Sequence, residues 1–362
     1  MTRLAIIGLG AVTHNIHAPA YRSCGGRLHV VAGCDTDREA RRRAKDARLA
    51  DEVFEDARAM LETTRPDVVS VCTPPALHLE HAKLALEHGC HVFCEKPLAE
   101  DLAQADAIIA AADRAGRVVV VNNQFPYMEI HRAAKRMIGI PPFGRLLYLH
   151  AWHMMEATEF TEAGWRGGLR RRLCFEFGVH VFELVRYFFG ATPVRLQAHM
   201  PSPNPAAKGD LVNVISMEFA DGRAASMVLD RLSRGPERYL DMRLDGEGAT
   251  IRTSIGGRLR FVAGLHTQER RPFARIEFAK GGQAVLEQGT RSRVIARDGL
   301  SPFAPATAFH LSGFLDSIAA GTTPAANARD NRDTLALVMA AYDAAESGHT
   351  VELADYRAPL DA

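Results

Sequence analysis

The sequence predicts an α/β domain built on a parallel sheet, followed by an α+β domain with a large open, mainly antiparallel sheet. Three observations predict this. Short β-branched runs alternate with amphipathic stretches over residues 1–122, a Gly-x-Gly turn directly follows the first run, and beyond Pro126 the alternation gives way to successive strand-like runs. Regular alternation requires crossover helices and hence parallel strands, whereas successive strands joined by turn residues favour antiparallel pairing.

In chain order, the strand-like runs of the first part are Leu4–Gly8, Leu28–Asp35, Asp67–Cys72, His91–Cys94 and Arg117–Val121, with a weaker one at Val53–Phe54. Helix patterns fall at Arg38–Leu49, Ala76–His88 and Leu102–Ala115, the last ended by Gly116. The second part opens with a helix at Met128–Met137, a strand at Gly144–Trp152 and a helix at Gly178–Phe189, ended by Gly190. Strands follow near 194–199, 211–219, 224–232, 238–244, 249–253 and 258–263, some separated by Asp221-Gly222, Asp245-Gly246 and Gly256-Gly257. Pro201–Pro205 reads as a surface loop, and helices near 307–320 and 329–347 close the chain. We place the domains at 1–122 and 123–362, with the closing helices able to pack back on the first.

Composition narrows the class. The 362 residues suffice for two cores, 47% are hydrophobic and 24% charged, as in soluble globular proteins. A net charge of +1 gives no general attraction to nucleic acid or to an anionic membrane surface. No apolar run approaches the roughly 20 residues that span a bilayer. The first strand starts too early for a signal peptide, so a cytoplasmic protein is expected. The six cysteines, without a Cys-x-x-Cys pair, read as reduced packing residues. No metal is expected. His78, His81, His88, Cys90, His91 and Cys94 are divided between a helix and a strand, and His150, His153 and Glu156 alternate faces of a strand.

The first strand runs into Gly8-Leu9-Gly10-Ala11-Val12-Thr13. Two glycines allow a tight turn and close approach of a pyrophosphate to a helix N-terminus. Thr13, at the third glycine position, is expected to crowd the helix–strand contact. Asp35 ends the second strand, where a carboxylate accepts from adenosine ribose hydroxyls and repels a 2′-phosphate, so NAD is preferred. Thr36 lies beside it. Arg38 and Arg41-Arg42-Arg43 leave NADP open, or form a solvated helix face. Thr73, Pro74, Pro75 and His78 form a strand-to-helix turn at the same sheet edge. Glu95-Lys96-Pro97 ends another strand there, with Glu95 able to pair with Lys96, and Gln124 follows the last. In the second part, Glu176, His180 and Glu183 are spaced i, i+4, i+7. A carboxylate beside an imidazole suits a general base, although the same spacing serves a polar stripe at an interdomain contact.

Taken together, Gly-x-Gly, Thr-Pro-Pro-x-x-His, Glu-Lys-Pro and carboxylate-x-x-x-His resemble, in order and spacing, the Gfo/Idh/MocA oxidoreductases. The resemblance extends to the closing Asp330-Asn331-Arg332-Asp333 helix. It implies a Rossmann domain, a mixed domain with an open sheet, and NAD(P)-linked oxidation of a sugar or polyol hydroxyl, or the reverse. It identifies Lys96 with the active-site lysine, His180 with the proposed base, and Glu176 with the usual aspartate. It also implies association through the open sheet, as a homodimer or homotetramer.

The chain departs from the family where a Gly-rich run is usual: it carries Arg170-Arg171-Arg172. These arginines either bind a substrate carboxylate or phosphate, Arg171 foremost, or form an exposed basic loop. Trp152, His153, Trp165 and Arg166 flank the catalytic segment and, with Arg171 and Glu183, are candidate substrate residues. Rival readings are an enzyme that recycles its NAD in epimerisation or glycoside cleavage, and a non-catalytic dinucleotide sensor.

Overall fold

The computed structural model describes residues 1–156, 164–201, 203, 204, 207–234, 238–256, 258–266, 271–279, 281–354 and 356. They form two compact units. One comprises Met1–Tyr127 with Phe303–Met339; the other comprises Met128–Pro302 and the chain from Ala340 through the strand at Val351–Glu352. The first unit thus runs continuously to Tyr127 and includes a segment from the closing helices.

In the first unit, strands β1 (Thr2–Ile7), β2 (Leu28–Cys34), β3 (Glu52–Phe54), β4 (Val68–Val71), β5 (His91–Glu95) and β6 (Val119–Asn122) form one sheet, ordered β3-β2-β1-β4-β5-β6. Every pairing is parallel. β4 and β6 are buried throughout, as strands covered on both faces must be. The crossovers carry helices α1 (Ala18–Ser23), α2 (Arg38–Asp46), α3 (Ala57–Thr64), α4 (His78–Glu87) and α5 (Leu102–Ala115). The helix expected after the Gly-x-Gly turn starts as a π turn over Thr13–His17 and continues as α1, whereas α3 was not foreseen. Asp37, Asp56 and Asp101 cap α2, α3 and α5 by accepting from backbone N–H groups two or three residues on, and Gly116 ends α5 at φ 59°. Strand order reverses at β1, which pairs with both β2 and β4, so a crevice opens at the carboxyl ends there.

The second unit holds helices α6 (Glu129–Met137) and α7 (Val179–Phe189), and strands β7 (Leu146–Met154), β8 (Arg195–His199), β9 (Val212–Glu218), β10 (Ala224–Asp230), β11 (Arg238–Gly246), β12 (Thr250–Ile255), β13 (Arg258–His266), β14 (Arg271–Ala279), β15 (Gly282–Gln288), β16 (Arg291–Arg297) and β17 (Val351–Glu352). Nine strands form one sheet in the order β16-β15-β12-β11-β7-β10-β9-β8-β17, parallel at β7–β10 and antiparallel elsewhere; β13 and β14 pair as a separate hairpin. The strands β14 to β16 were not foreseen. Asp245-Gly246 is not a turn but the end of β11, where a Cβ on Gly246 would stand 2.4 Å from the Phe143 carbonyl oxygen. Gly222 does turn, at φ 81°. Of the proline-rich segment, Ser202 and Pro205 lie outside the described residues, as does Gly257.

Two long helices close the chain, α8 (Phe303–Ala320) and α9 (Ala328–Ser347). Leu311, Phe314 and Leu315 of α8 complete the first unit's core with Leu4, Ile6, Val68, Phe93 and Val120. No helix among the described residues is long and apolar enough to cross a membrane. The six cysteines are buried and free.

Candidate active site

At the carboxyl edge of the parallel sheet, a cleft of about 810 Å³ is lined by Gly8, Gly10, Asp35, Thr36, Thr73 and Pro74, among others. Gly8 sits at φ 97°, and a Cβ there would meet the Cys72 carbonyl carbon and oxygen at 2.8 Å. No other residue fits. A Cβ on Gly10 would meet nothing within 4 Å, so no protein atom fills the space above this turn. Thr13 does not crowd the contact as expected: it is fully buried, donates from Oγ1 to the Gly8 carbonyl at 2.7 Å, and begins a wider π turn over Thr13–His17. Asp35 accepts from the Leu9 N–H through Oδ2 (2.8 Å) and from the Asp37 N–H through Oδ1 (2.9 Å), which joins the acid to the glycine turn.

Of the expected cofactor residues, His78, Glu95, Lys96 and Gln124 lie outside the lining of this cleft, as do four others. Arg38 is exposed, and neither it nor Ala11, Val12 or Pro75 lines the cleft; Val12 instead packs on the core. Arg41 donates to the carbonyls of Asp35 (2.8 Å) and Thr36 (2.9 Å) and to Glu55 (2.8 Å), while Arg42 pairs with Glu39 and Asp46. His78 is wholly buried, its ring nitrogens 2.8 Å from the Pro97 and Thr73 carbonyl oxygens. Burial lowers its pKa. The cleft is also lined by Leu77, His81, Glu55, Asp56 and Arg58, none of them foreseen; the last two belong to the cap and first turn of α3, which the sequence pattern did not reveal.

At the end of β5, Glu95 turns inward. Its Oε1 meets His17 Nε2 at 2.7 Å and accepts from Asn122 Nδ2 at 2.8 Å; Asn122 also donates to Thr307. Its Oε2 accepts from the backbone N–H of Lys96 at 3.3 Å. Burial acts to lower the His17 pKa, but Cys72 and Glu95 outweigh it and raise it to about 10. For Glu95, burial is outweighed by His17 and Asn122, which lower its pKa. Lys96 is half-buried. Nearby on the same edge, Asn122 Oδ1 and Gln124 Oε1 are buried without a hydrogen-bond donor. An open glycine cradle, a strand-end acid and unmatched amide oxygens fit a dinucleotide.

In the second unit, Cys174–Gly178 forms a π turn leading into α7, so Glu176 and His180 lie on either side of the change in helix type. Asp210 organises its start. The carboxylate accepts from the N–H groups of Arg172 (2.6 Å), Leu173 (3.0 Å) and Cys174 (3.2 Å), from Asn213 (2.8 Å) and from the Tyr342 hydroxyl (3.1 Å). Nothing local in the sequence marks Asp210 as a cap, since it follows the turn it caps by 36 positions.

The three arginines have different fates. Arg170 is exposed. Arg171 binds Glu346 with two nitrogens (3.0 and 2.7 Å), contacts Asp343 at 3.2 Å and lies over the Tyr342 ring; its fork is thus taken up by protein carboxylates and is not an open anion pocket. Arg172 is buried and donates to Glu176 Oε2 at 3.0 Å, while Arg166 donates to Oε1 at 2.6 Å and stacks on Trp165. Glu183 stands 3.9 Å from Arg186. His180 is 3% exposed. Trp152 and His153, both candidate substrate residues, are separated by the pleat of β7. Trp152 lies on the opposite face of β7 from His153, whose ring stacks on Phe177 at 3.5 Å.

The family sequence profile described as "Oxidoreductase family, NAD-binding Rossmann fold" matches residues 2–123, and the GFO/IDH/MocA C-terminal domain matches residues 131–252. The chain belongs to the Gfo/Idh/MocA oxidoreductases. It is 29% identical to a D-apiose dehydrogenase of Paraburkholderia graminis over 99% of this chain and 91% of that protein. Identity reaches 41% with a D-glucoside 3-dehydrogenase of Escherichia coli, over 54% of this chain and 57% of that protein. The fold matches an Agrobacterium radiobacter oxidoreductase solved with NAD+, L-tartaric acid and magnesium, with a TM-score of 0.83 at 20% identity over 97% of this chain and 98% of that one. As a Gfo/Idh/MocA member the chain is an enzyme, an oxidoreductase with an NAD-binding Rossmann domain.

Proposed function

We propose that this enzyme oxidises a secondary hydroxyl of a sugar or polyol, or runs the reverse reduction, with Lys96 and His180 as its catalytic residues and NAD as the preferred cofactor. The observation carrying this reading is the cleft at β1 and β4, where the open Gly8–Gly10 turn and Asp35 meet. The sugar-named relatives support the substrate class.

When bound, the nicotinamide supplies the two-electron acceptor. His180 takes the hydroxyl proton onto a ring nitrogen. Lys96 donates a hydrogen bond to the oxygen as it gains charge, which is worth most where water is excluded. Glu176 steadies the protonated imidazole, although Arg166 and Arg172 already share its charge and weaken its pull on the ring's basicity. The preference for NAD is supported by the acids around the cleft and by the engagement of Arg41 with backbone carbonyls and Glu55.

We extend the reading to a cytoplasmic homodimer or homotetramer. Trp152, Val228 and Val214 lie in register across β7, β10 and β9 on the outward face of that sheet, with Trp152 44% and Val214 45% exposed. The test follows nicotinamide absorbance with D-apiose, methyl β-D-glucoside and myo-inositol, using NAD and NADP. Wild type should reduce NAD faster than NADP, and Lys96→Ala should bind NAD while losing about 100- to 1000-fold in rate. Full activity of Lys96→Ala would reject the assignment.

A further inference from the structure

Lys96 sits between two residues that are both held by buried histidines. On its amino side, Glu95 is tied to His17 and Asn122. On its carboxyl side, the Pro97 carbonyl lies 2.8 Å from His78 Nδ1. β5 ends at Glu95, so holding that side chain inside, beside His17, fixes the point from which Lys96 leaves the strand. Phe93, two residues before Glu95, confirms the facing: its ring packs on His17 and on His310 of α8.

His78 does a second thing. Its other nitrogen lies 2.8 Å from the carbonyl oxygen of Thr73, a residue lining the dinucleotide cleft. Both partners are acceptors, from backbone beyond the ends of β4 and β5 where ladder bonds stop. The neutral ring carries a single N–H, so it donates to one of these two carbonyls at a time, in a site that is 0% exposed. The lysine turn and the cofactor turn both lie against this one imidazole.

We propose that His17, through Glu95, and His78, through Pro97, are positioning residues that fix the direction of Lys96. The proposal rests on the assignment of Lys96 made above. A misplacement of about 1 Å at such a group costs on the order of 100-fold in rate. We therefore expect His78→Leu to lower kcat by roughly 10- to 100-fold, with substrate KM changing far less. His78→Gln, which keeps an N–H donor, should recover most of that loss.

The assays use the full-length chain, NAD, and whichever of D-apiose, methyl β-D-glucoside or myo-inositol turns over fastest. A second readout needs neither cofactor nor substrate: acylation of Lys96 by acetic anhydride relative to exposed Lys45, measured by peptide mass spectrometry. A change of about half a pKa unit in the amine alters this rate about threefold, so His78→Leu should shift the ratio by that order. Unchanged kcat and unchanged labelling in His78→Leu, with Lys96→Ala inactive, would overturn the clamp and leave the Lys96 assignment standing. An active Lys96→Ala overturns both. Equal losses in His78→Leu and His78→Gln, or a rise confined to the KM for NAD, would also overturn it. If His78→Leu does not fold, Glu95→Gln takes its place with the same expected fall in kcat.

Discussion

Removing the Asp210 carboxylate should loosen the turn that leads to His180. In Asp210→Ala, three backbone N–H groups, the Asn213 amide and the Tyr342 hydroxyl lose one shared acceptor. Leu173, Cys174, Asn213 and Tyr342 are at most 3% exposed, so their donors are poorly placed to find water. Losing a helix cap costs about 0.5–2 kcal/mol, and each buried donor left unmatched about 1–3 kcal/mol. Asp210 itself is only half-buried, so water entering its place recovers part of this. We expect a net loss of about 2–4 kcal/mol. For a unit of this size, that lowers the melting temperature by roughly 5–15 °C. Thermal and urea unfolding followed by circular dichroism measure it. Because α7 starts from this turn, kcat measured well below the melting temperature should also fall by about 10-fold or more. A melting temperature within about 2 °C of wild type, with kcat intact, would refute the argument.

Gly10→Ala should leave the melting temperature within about 1 °C of wild type, since nothing lies within 4 Å of the added carbon, yet weaken NAD binding by about 10-fold or more in a fluorescence titration. Gly8→Ala should instead destabilise the fold, because its Cβ meets backbone at 2.8 Å; equal melting of the two variants would contradict this. Stability should also depend on pH in both directions from about pH 6.5, near the unfolded value for histidine. Burial lowers the pKa of His153 to about 4 and of His310 to about 3, so the unfolded chain binds protons that the folded chain does not, and stability falls as pH drops below 6.5. The raised His17 contributes stability that is complete below its unfolded value and lost as pH rises through about 10. Urea midpoints at pH 5, 6.5 and 9 test the pattern, and a maximum at either extreme would count against it.

The first unit was largely legible because its determinants are local. The runs at β1, β2, β4, β5 and β6 are apolar on both faces, Gly8 needs a positive φ, and Asp35 ends a strand where the sheet edge exposes it. Such patterns are written in consecutive residues and survive without knowledge of partners. α3 escaped notice because its eight residues include Arg58, Glu62, Thr63 and Thr64, too polar for a helical stripe to stand out. β16 escaped because its three arginines and largely exposed side chains do not advertise a half-buried face.

Charge pairing was the least legible feature. Arg170, Arg171 and Arg172 look alike in sequence, yet one is exposed, one is taken up by Glu346 and Asp343 of α9, and one is buried against Glu176. Trp152 and His153 are neighbours whose faces differ by one step of the pleat. By itself the sequence determined the alternating sheet, the dinucleotide turn and the lysine after β5, since each follows from backbone geometry and side-chain type within a few residues. Only the tertiary structure decided which carboxylates receive the arginines, that Asp210 caps the turn before α7, and that His17 and His78 flank Lys96. Apart from the Arg172–Glu176 pair, four positions apart, and the Arg166–Glu176 pair, ten apart, those outcomes depend on contacts across 19 to 175 positions of chain, where no local pattern records the partner.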